Sequence, residues 1–147
     1  MLKLEEIVDK LRNNGLRITP QRVAIIKYVT NTQSHPSAEE IHKVVQKKYP
    51  MVSMATVYKT LDLLRKMSMV QQLGFANGSA RYEANLRRHI NIICMRCGRI
   101  DDIDEHSLST LESKVAEKSK YEIFGRRFEL YGFCSECKLQ KQTSIEK

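Results

Sequence analysis

Four cysteines, placed as Cys94-Met95-Arg96-Cys97 and Cys134-Ser135-Glu136-Cys137, constrain this chain more than any other feature. Each C-x₂-C pair sets two sulfurs on one turn of chain, and two pairs supply four thiolates for a closed tetrahedral zinc site. Gly98 follows the first pair, where such a knuckle favours a residue tolerant of positive φ. Residues 98–133 separate the pairs, a longer span than in a compact zinc ribbon. A whole strand–helix–strand segment would therefore be stapled at both ends. Two other chemistries use paired cysteines. Disulfides need an oxidising compartment. A thioredoxin-like redox pair needs only one C-x-x-C, and the Trp and cis-Pro context of that motif is missing here. With four sulfurs and no open position, the zinc is expected to be structural, not catalytic.

The compartment expected is the cytoplasm. The opening Met1-Leu2-Lys3-Leu4-Glu5-Glu6 lacks the apolar core and cleavage site of a signal peptide. No apolar run approaches the ~18–20 residues that span a bilayer, so no membrane partner is expected. The 147 residues, 41% hydrophobic and 29% charged with 6 Gly and 3 Pro, allow one ordinary domain or two small ones and exclude collagen-like and low-complexity classes. A net charge of +8 points to a polyanionic partner. Its distribution is uneven: residues 1–83 carry 13 Lys and Arg against 7 Asp and Glu, residues 84–147 carry 12 against 10. Four thiolates on one Zn²⁺ would leave the second half neutral and the excess positive charge in the first.

The first half reads as helices with short connections. Leu4, Ile7, Val8 and Leu11 recur at helical spacing until Asn13-Asn14-Gly15 stops the run. Thr19-Pro20 supplies an N-cap and first-turn proline for a helix carrying Val23, Ile25, Ile26 and Val29. After His35-Pro36, Ser37 with Glu40 forms a capping box over Ile41, Val44 and Val45, with Pro50 as the stop. Ser53 opens a fourth helix through Val57, Leu61 and Leu64, ending near Lys66. Extended pieces at Met69–Leu73 and Ala80–Glu83 flank Asn77-Gly78, a hairpin turn signal. Helices followed by a hairpin are the pattern of a winged helix-turn-helix, or of a small bundle whose hairpin only covers the core.

The second half changes character. Ile90, Ile92 and Ile93 lead as a strand into Cys94, with Arg99–Ile103 as its return strand. Ser107–Lys118 reads as a helix with Leu108, Leu111, Val115 and Ala116 on its apolar side, and Tyr121–Phe133 as one long strand. The fold class expected is α+β: residues 1–83 a winged helix, 84–88 a hinge, and 89–147 a small α/β unit with the four-cysteine zinc site.

Four histidines remain, at positions 35, 42, 89 and 106. Taken singly, each is at home as a surface or core-edge residue. His89 and Asn91 would alternate onto one face of a strand; Glu83 ends the wing, and Asp101 and Asp102 sit on the return strand. Spacing alone does not bring these together.

Gly15-Leu16-Arg17-Ile18-Thr19-Pro20-Gln21-Arg22, His35-Pro36-Ser37-Ala38-Glu39, Ala55-Thr56-Val57-Tyr58, Ala80-Arg81-Tyr82-Glu83 and Cys94-Met95-Arg96-Cys97-Gly98 occur in order and in register with the second cysteine pair. Together they resemble the Fur family, the ferric uptake regulators, over essentially the whole chain. Tyr131-Gly132-Phe133-Cys134-Ser135-Glu136-Cys137 and Asp102 look most like its peroxide-sensing branch. The resemblance implies a homodimer and a regulatory metal site with His35, Glu83, His89, Asn91 and Asp102 as ligands. Asn91 departs from the pattern, which has a second histidine there. Either its amide oxygen ligates, and the set favours Mn²⁺ or Fe²⁺ over Zn²⁺, or Asn91 stands aside and four ligands remain. In the peroxide-sensing branch bound Fe²⁺ reacts with peroxide, which oxidises ligand histidines; here these would be His35 and His89. The family's additional metal site would align with Arg88, Ile90, Ser109 and Arg126, which do not make one. His42 and His106 read as surface residues without a role.

In a winged helix the Ser53–Lys66 segment enters the major groove by its N-terminal turns. Ala55 and Thr56 offer small or methyl contacts to thymine, while Ser53, Tyr58 and Lys59 stand within reach of bases or phosphate. Tyr58 is otherwise a core-edge aromatic and Lys59 an ordinary solvated charge. The resemblance adds Arg17 as a minor-groove contact, favouring A·T-rich flanks. The partner implied is double-stranded DNA carrying a pseudo-palindromic operator, and the function a metal-dependent repressor, peroxide-responsive or responsive to iron, manganese or zinc. Two other classes remain: a structural zinc protein that binds RNA, and a redox enzyme using the cysteine pairs. No nucleophile–base pair or phosphate loop speaks for an enzyme.

Overall fold

The computed structural model describes residues 4–76 and 79–142. Asn77 and Gly78, the expected hairpin turn, and the opening Met1–Lys3 lie outside the described residues. The backbone divides into two compact units, one of Met1–Phe75 with Ser79–Leu86, the other of Arg87–Lys147 with Ala76–Gly78.

In the first unit, each helix begins or ends on a local hydrogen bond. Helix α1 (Leu4–Asn13) stops where Gly15 takes a φ of 77°, a backbone state that costs glycine little. Helix α2 (Pro20–Asn31) is capped by Thr19, whose hydroxyl accepts from the Arg22 N–H at 3.3 Å. Helix α3 (Ala38–Gln46) starts on a complete capping box: the Glu40 N–H donates to the Ser37 hydroxyl at 3.2 Å, and the Ser37 N–H to the Glu40 carboxylate at 2.8 Å. Ser53 caps helix α4 (Met54–Lys66) by accepting from the Thr56 N–H at 3.1 Å. Strands β1 (Gln71–Ala76) and β2 (Ser79–Glu83) form a two-stranded sheet.

Helices α2, α3 and α4 pack on one another, α1 lies on α2, and β2 lies against α2 and α3. Ile25, Ile26, Val29, Ile41, Val57, Leu61 and Leu64 are fully buried between them. Each such side chain stabilises the fold by about 1.5–3 kcal/mol through the water it leaves. Val44 was expected in this core but is exposed, because Ala38, Ile41 and Val45 occupy the buried stripe of α3. Helix α3 also stops before Pro50. The N–H groups of Lys48 and Tyr49 both turn back to the Val45 carbonyl, closing the helix locally.

In the second unit, β3 (Ile90–Cys94) is the centre of a three-stranded sheet ordered β4–β3–β5. Strand β4 (Ile100–Ile103) is antiparallel to it, with Asn91 opposite Asp102; β5 (Glu129–Gly132) is parallel, with Asn91 opposite Glu129. Helix α5 (Leu108–Ser119) connects the edges, and helix α6 (Ser135–Gln142), which sequence periodicity did not anticipate, follows the last strand. The long strand expected over 121–133 is not formed: only Glu129–Gly132 pairs, because β3 offers a partner to those four residues alone. Helix α5 is where expected, but Leu111 and Val115 lie exposed and only Leu108 is buried. No helix among the described residues is long and apolar enough to cross a membrane.

Candidate metal and nucleic-acid sites

The four-cysteine cluster is built from the ends of the central sheet. Cys94 closes β3, and the chain turns so that the Gly98 N–H donates to the Cys94 carbonyl at 2.9 Å, with Gly98 at a φ of 74°. The Met95 N–H donates to the Gly132 carbonyl at 2.8 Å, which ties this knuckle to the end of β5. There Cys134 follows, and Cys137 lies in the first turn of α6. One sulfur from each cysteine falls within 4.8 Å of the others. Zn–S bonds of about 2.3 Å place tetrahedral sulfurs roughly 3.8 Å apart, and the Cys97 and Cys134 sulfurs are 3.8 Å apart.

The electrostatics agree with a cation-binding set. Backbone N–H groups, foremost that of Cys134 at 3.3 Å, lower the Cys94 thiol to about 5. Burial and the neighbouring sulfurs push Cys137 up to about 12. A cluster in which one sulfur ionises readily and another resists is completed by a positive ion among them. All four are free cysteines. The surroundings are pinned by residues that sequence reasoning passed over. Arg96 donates to the Cys137 carbonyl at 2.7 Å and lies over the Phe133 ring at 5.7 Å, and Arg99 pairs with Glu136 at 3.2 Å. No local spacing signals these contacts, which join residues about forty positions apart.

The residues expected around a regulatory ion fall into both units. In the first, the Tyr82 N–H donates to the Pro36 carbonyl at 3.0 Å, and Ser37 bridges to Arg81. This stitch lays the loop before α3 along β2 and sets His35 beside Glu83, with Nε2 and Oε1 3.6 Å apart. Both are buried, His35 at a φ of 48°. In the second unit, His89 Nδ1 lies 2.9 Å from the Arg87 carbonyl. That bond assigns its proton to Nδ1 and leaves Nε2 with a lone pair, the state an imidazole ligand needs.

Asn91 is buried on the neighbouring strand position, its amide nitrogen 3.2 Å from that Nε2. Half a turn of the amide presents Oδ1 to the same space. Across the ladder Asn91 faces Asp102 on one side and Glu129 on the other. Glu129 was not singled out from sequence; its nearly buried carboxylate pairs with Arg127 at 3.0 Å and accepts from the Tyr131 hydroxyl. Within this unit His89 and Asn91 offer an imidazole nitrogen and an amide oxygen, donors suited to Mn²⁺ or Fe²⁺ more than the soft cysteine cluster is.

The positions of an additional metal site do not fit a cation. Arg88 and Arg126 both clamp Glu112, at 3.2 and 2.9 Å, so two guanidiniums already hold the carboxylate there. His106 is exposed as expected. His42 is not a simple surface residue: its Nε2 lies 2.9 Å from the Val52 carbonyl, joining α3 to the loop before α4.

The first turns of α4 present the residues expected to read DNA. Ser53, Ala55, Tyr58 and Lys59 are exposed, and Thr56 is half-buried with its hydroxyl 2.9 Å from that of Ser53. Arg17 is exposed on the connection before α2, where its carbonyl accepts from the Arg22 guanidinium. Tyr58 is not a core-edge aromatic: it stands 47% exposed, and its hydroxyl donates to the Glu39 carboxylate at 2.7 Å.

The model of the Ferric uptake regulator family matches residues 13–131. The peroxide-responsive repressor PerR of Staphylococcus epidermidis is 38% identical over 136 residues, covering 92% of this chain and 91% of that protein. PerR of Staphylococcus aureus is 36% identical over 135 residues, with the same coverage of 92% and 91%. Among solved structures, the Helicobacter pylori ferric uptake regulator Fur, described as having three functional metal binding sites, aligns with a TM-score of 0.79 at 26% identity over 93% of this chain and 95% of that one. The Campylobacter jejuni peroxide stress regulator aligns with a TM-score of 0.72 at 26% identity, over 92% and 100%. With a helical unit that presents α4, a second unit that gathers four sulfurs, and a family match across most of its length, the chain belongs to the ferric uptake regulator family.

Proposed function

We propose that this chain is a cytoplasmic, homodimeric, metal-dependent repressor that binds a pseudo-palindromic, A·T-rich DNA operator and is released from it by peroxide. The observation that carries the reading is the buried His35–Glu83 pair, set at the root of α3 where that helix leads into α4. Zn²⁺ in the four-cysteine cluster would hold the second unit together. A second ion, Fe²⁺ or Mn²⁺, would take His35 and Glu83 from the first unit and His89, Asn91 and Asp102 from the second. Ligation by both units makes metal binding and DNA-competent geometry one linked equilibrium. Arg17, Ser53, Ala55, Thr56, Tyr58 and Lys59 would contact the duplex, with α4 in the major groove.

Bound Fe²⁺ would supply reduction of peroxide beside its own imidazole ligands. The chain's part is to hold His35 and His89 with their ligating nitrogens turned inward, and the Arg87 carbonyl does this for His89. Oxidation of either ring removes a ligand and frees the two units. Likeness to the PerR repressors supports peroxide as the signal. Asn91 supports a second reading, in which metal availability alone is sensed, because it replaces one oxidisable ring by an amide.

Peptide mass spectrometry separates the two. Protein loaded with Fe²⁺ should gain one oxygen on the His35 or His89 peptide after sub-stoichiometric peroxide, and Mn²⁺-loaded protein should not. Absence of that oxygen discards peroxide sensing and leaves a metal-responsive repressor.

A further inference from the structure

Helix α4 presents an aromatic residue whose polar end is already engaged. The Tyr58 hydroxyl donates to Glu39 at 2.7 Å, across 19 positions of sequence and from one helix of the motif to the other. Both side chains are solvent-exposed, so the bond contributes little to folding and its role must be sought on the surface. The bond holds Glu39 below the usual carboxylate range and raises the Tyr58 phenol, a pairing assisted by the carboxylate's charge. Glu39 sits where local bonds fix the backbone. It lies in the first turn of α3, between the two members of the capping box, and the neighbouring Glu40 is gripped by Arg81 at 2.6 Å.

A carboxylate on a surface meant for phosphates is unfavourable by charge alone. Its presence there calls for a compensating use. An unrestrained tyrosine samples several rotamers, and fixing one on DNA costs entropy that a bond made beforehand removes. We infer that Glu39 is a positioning residue for DNA reading: it holds the Tyr58 ring in the orientation that meets base edges and uses the hydroxyl for that purpose. The ring then reads by its apolar face, and thymine methyl groups are the matching chemistry. Glu39 also stands four residues after His35, on the segment that enters α3. This inference rests on the proposal that α4 reads DNA.

A double-mutant cycle tests it, using full-length Mn²⁺-loaded protein and a duplex that it selects from a randomised pool. The readout is discrimination, the ratio of affinity for the selected duplex to that for a scrambled one. Glu39→Ala and Tyr58→Phe should each lower this ratio about tenfold, and the double variant by the same tenfold, since each single change breaks the same bond. Glu39→Gln keeps an acceptor and should restore most of the ratio, while raising affinity for every duplex several-fold. Thermal midpoints should stay at the parent value, which a merely structural role would not allow. A hundredfold loss in the double variant would mean that the hydroxyl acts on DNA directly and would overturn the inference, as would a Gln variant no better than Ala. If the parent protein selects no sequence at all, the DNA-reading proposal itself falls, and this inference with it.

Discussion

The two units solve the problem of stability in different ways. The first buries a contiguous cluster of aliphatic side chains from four helices, with Ile25, Ile26, Val29, Ile41, Val57, Leu61 and Leu64 at its centre. The second buries few apolar residues among those described, mainly Ile93 and Leu108 with the sulfurs of Cys94 and Cys137. Its α5 and β5 leave Leu111, Val115, Leu130 and Tyr131 exposed. A unit of that size cannot rest on such a core, so a metal and a second copy of the chain are expected to take its place. One half of the molecule is held by packing; the other is expected to depend on ligation and association.

The largest expected effect follows from removing the zinc. Structural zinc sites contribute about 10–16 kcal/mol of apparent binding free energy to folding. Chelation, or Cys134→Ser, should abolish amide protection in β3 and β5 while α2, α3 and α4 stay protected, as read by peptide-resolved hydrogen exchange. Equal loss in both units would break the comparison. Next comes Ile26→Ala, which opens a cavity in the packed unit and should cost about 2–5 kcal/mol. Its zinc content, measured by elemental analysis, should not change.

Leu111→Asp tests the exposed side of α5. Burial of such a side chain in a second copy is worth about 1.5–3 kcal/mol, so the variant should shift toward monomer in sedimentation while its four sulfurs keep their metal. A dimer of parental strength would place the association elsewhere. The smallest effect is that of Ser37→Ala. Loss of the capping box should destabilise the first unit by roughly 1 kcal/mol. Because this cap lies two residues after His35, Mn²⁺ affinity should fall with it in calorimetric titration.

Much of this architecture was legible because it is local. Thr19-Pro20, Ser37 with Glu40, and Ser53 each mark a helix start through a hydrogen bond spanning three residues, and all three are made. The two cysteine pairs were legible for the same reason, since two turns of chain already impose most of the geometry on their sulfurs. The strand expected over 121–133 shows the opposite case. Alternation says which side chains share a face, but a strand exists only where a neighbour offers its ladder, and β3 does so for Glu129–Gly132 alone.

By itself, then, the amino-acid sequence determined where the helices of the first unit begin, which sulfurs gather and which residue types could hold an ion. Its motifs also carried the family. Only the tertiary structure decided that His35 lies against Glu83 through the Pro36–Tyr82 stitch, that Asn91 stands between Asp102 and Glu129, and that Tyr58 is held by Glu39. The physical reason is range. A cap or a knuckle is fixed by the covalent chain over a few bonds, whereas these contacts join residues 11 to 48 positions apart and exist only once the core beneath them has set the distance.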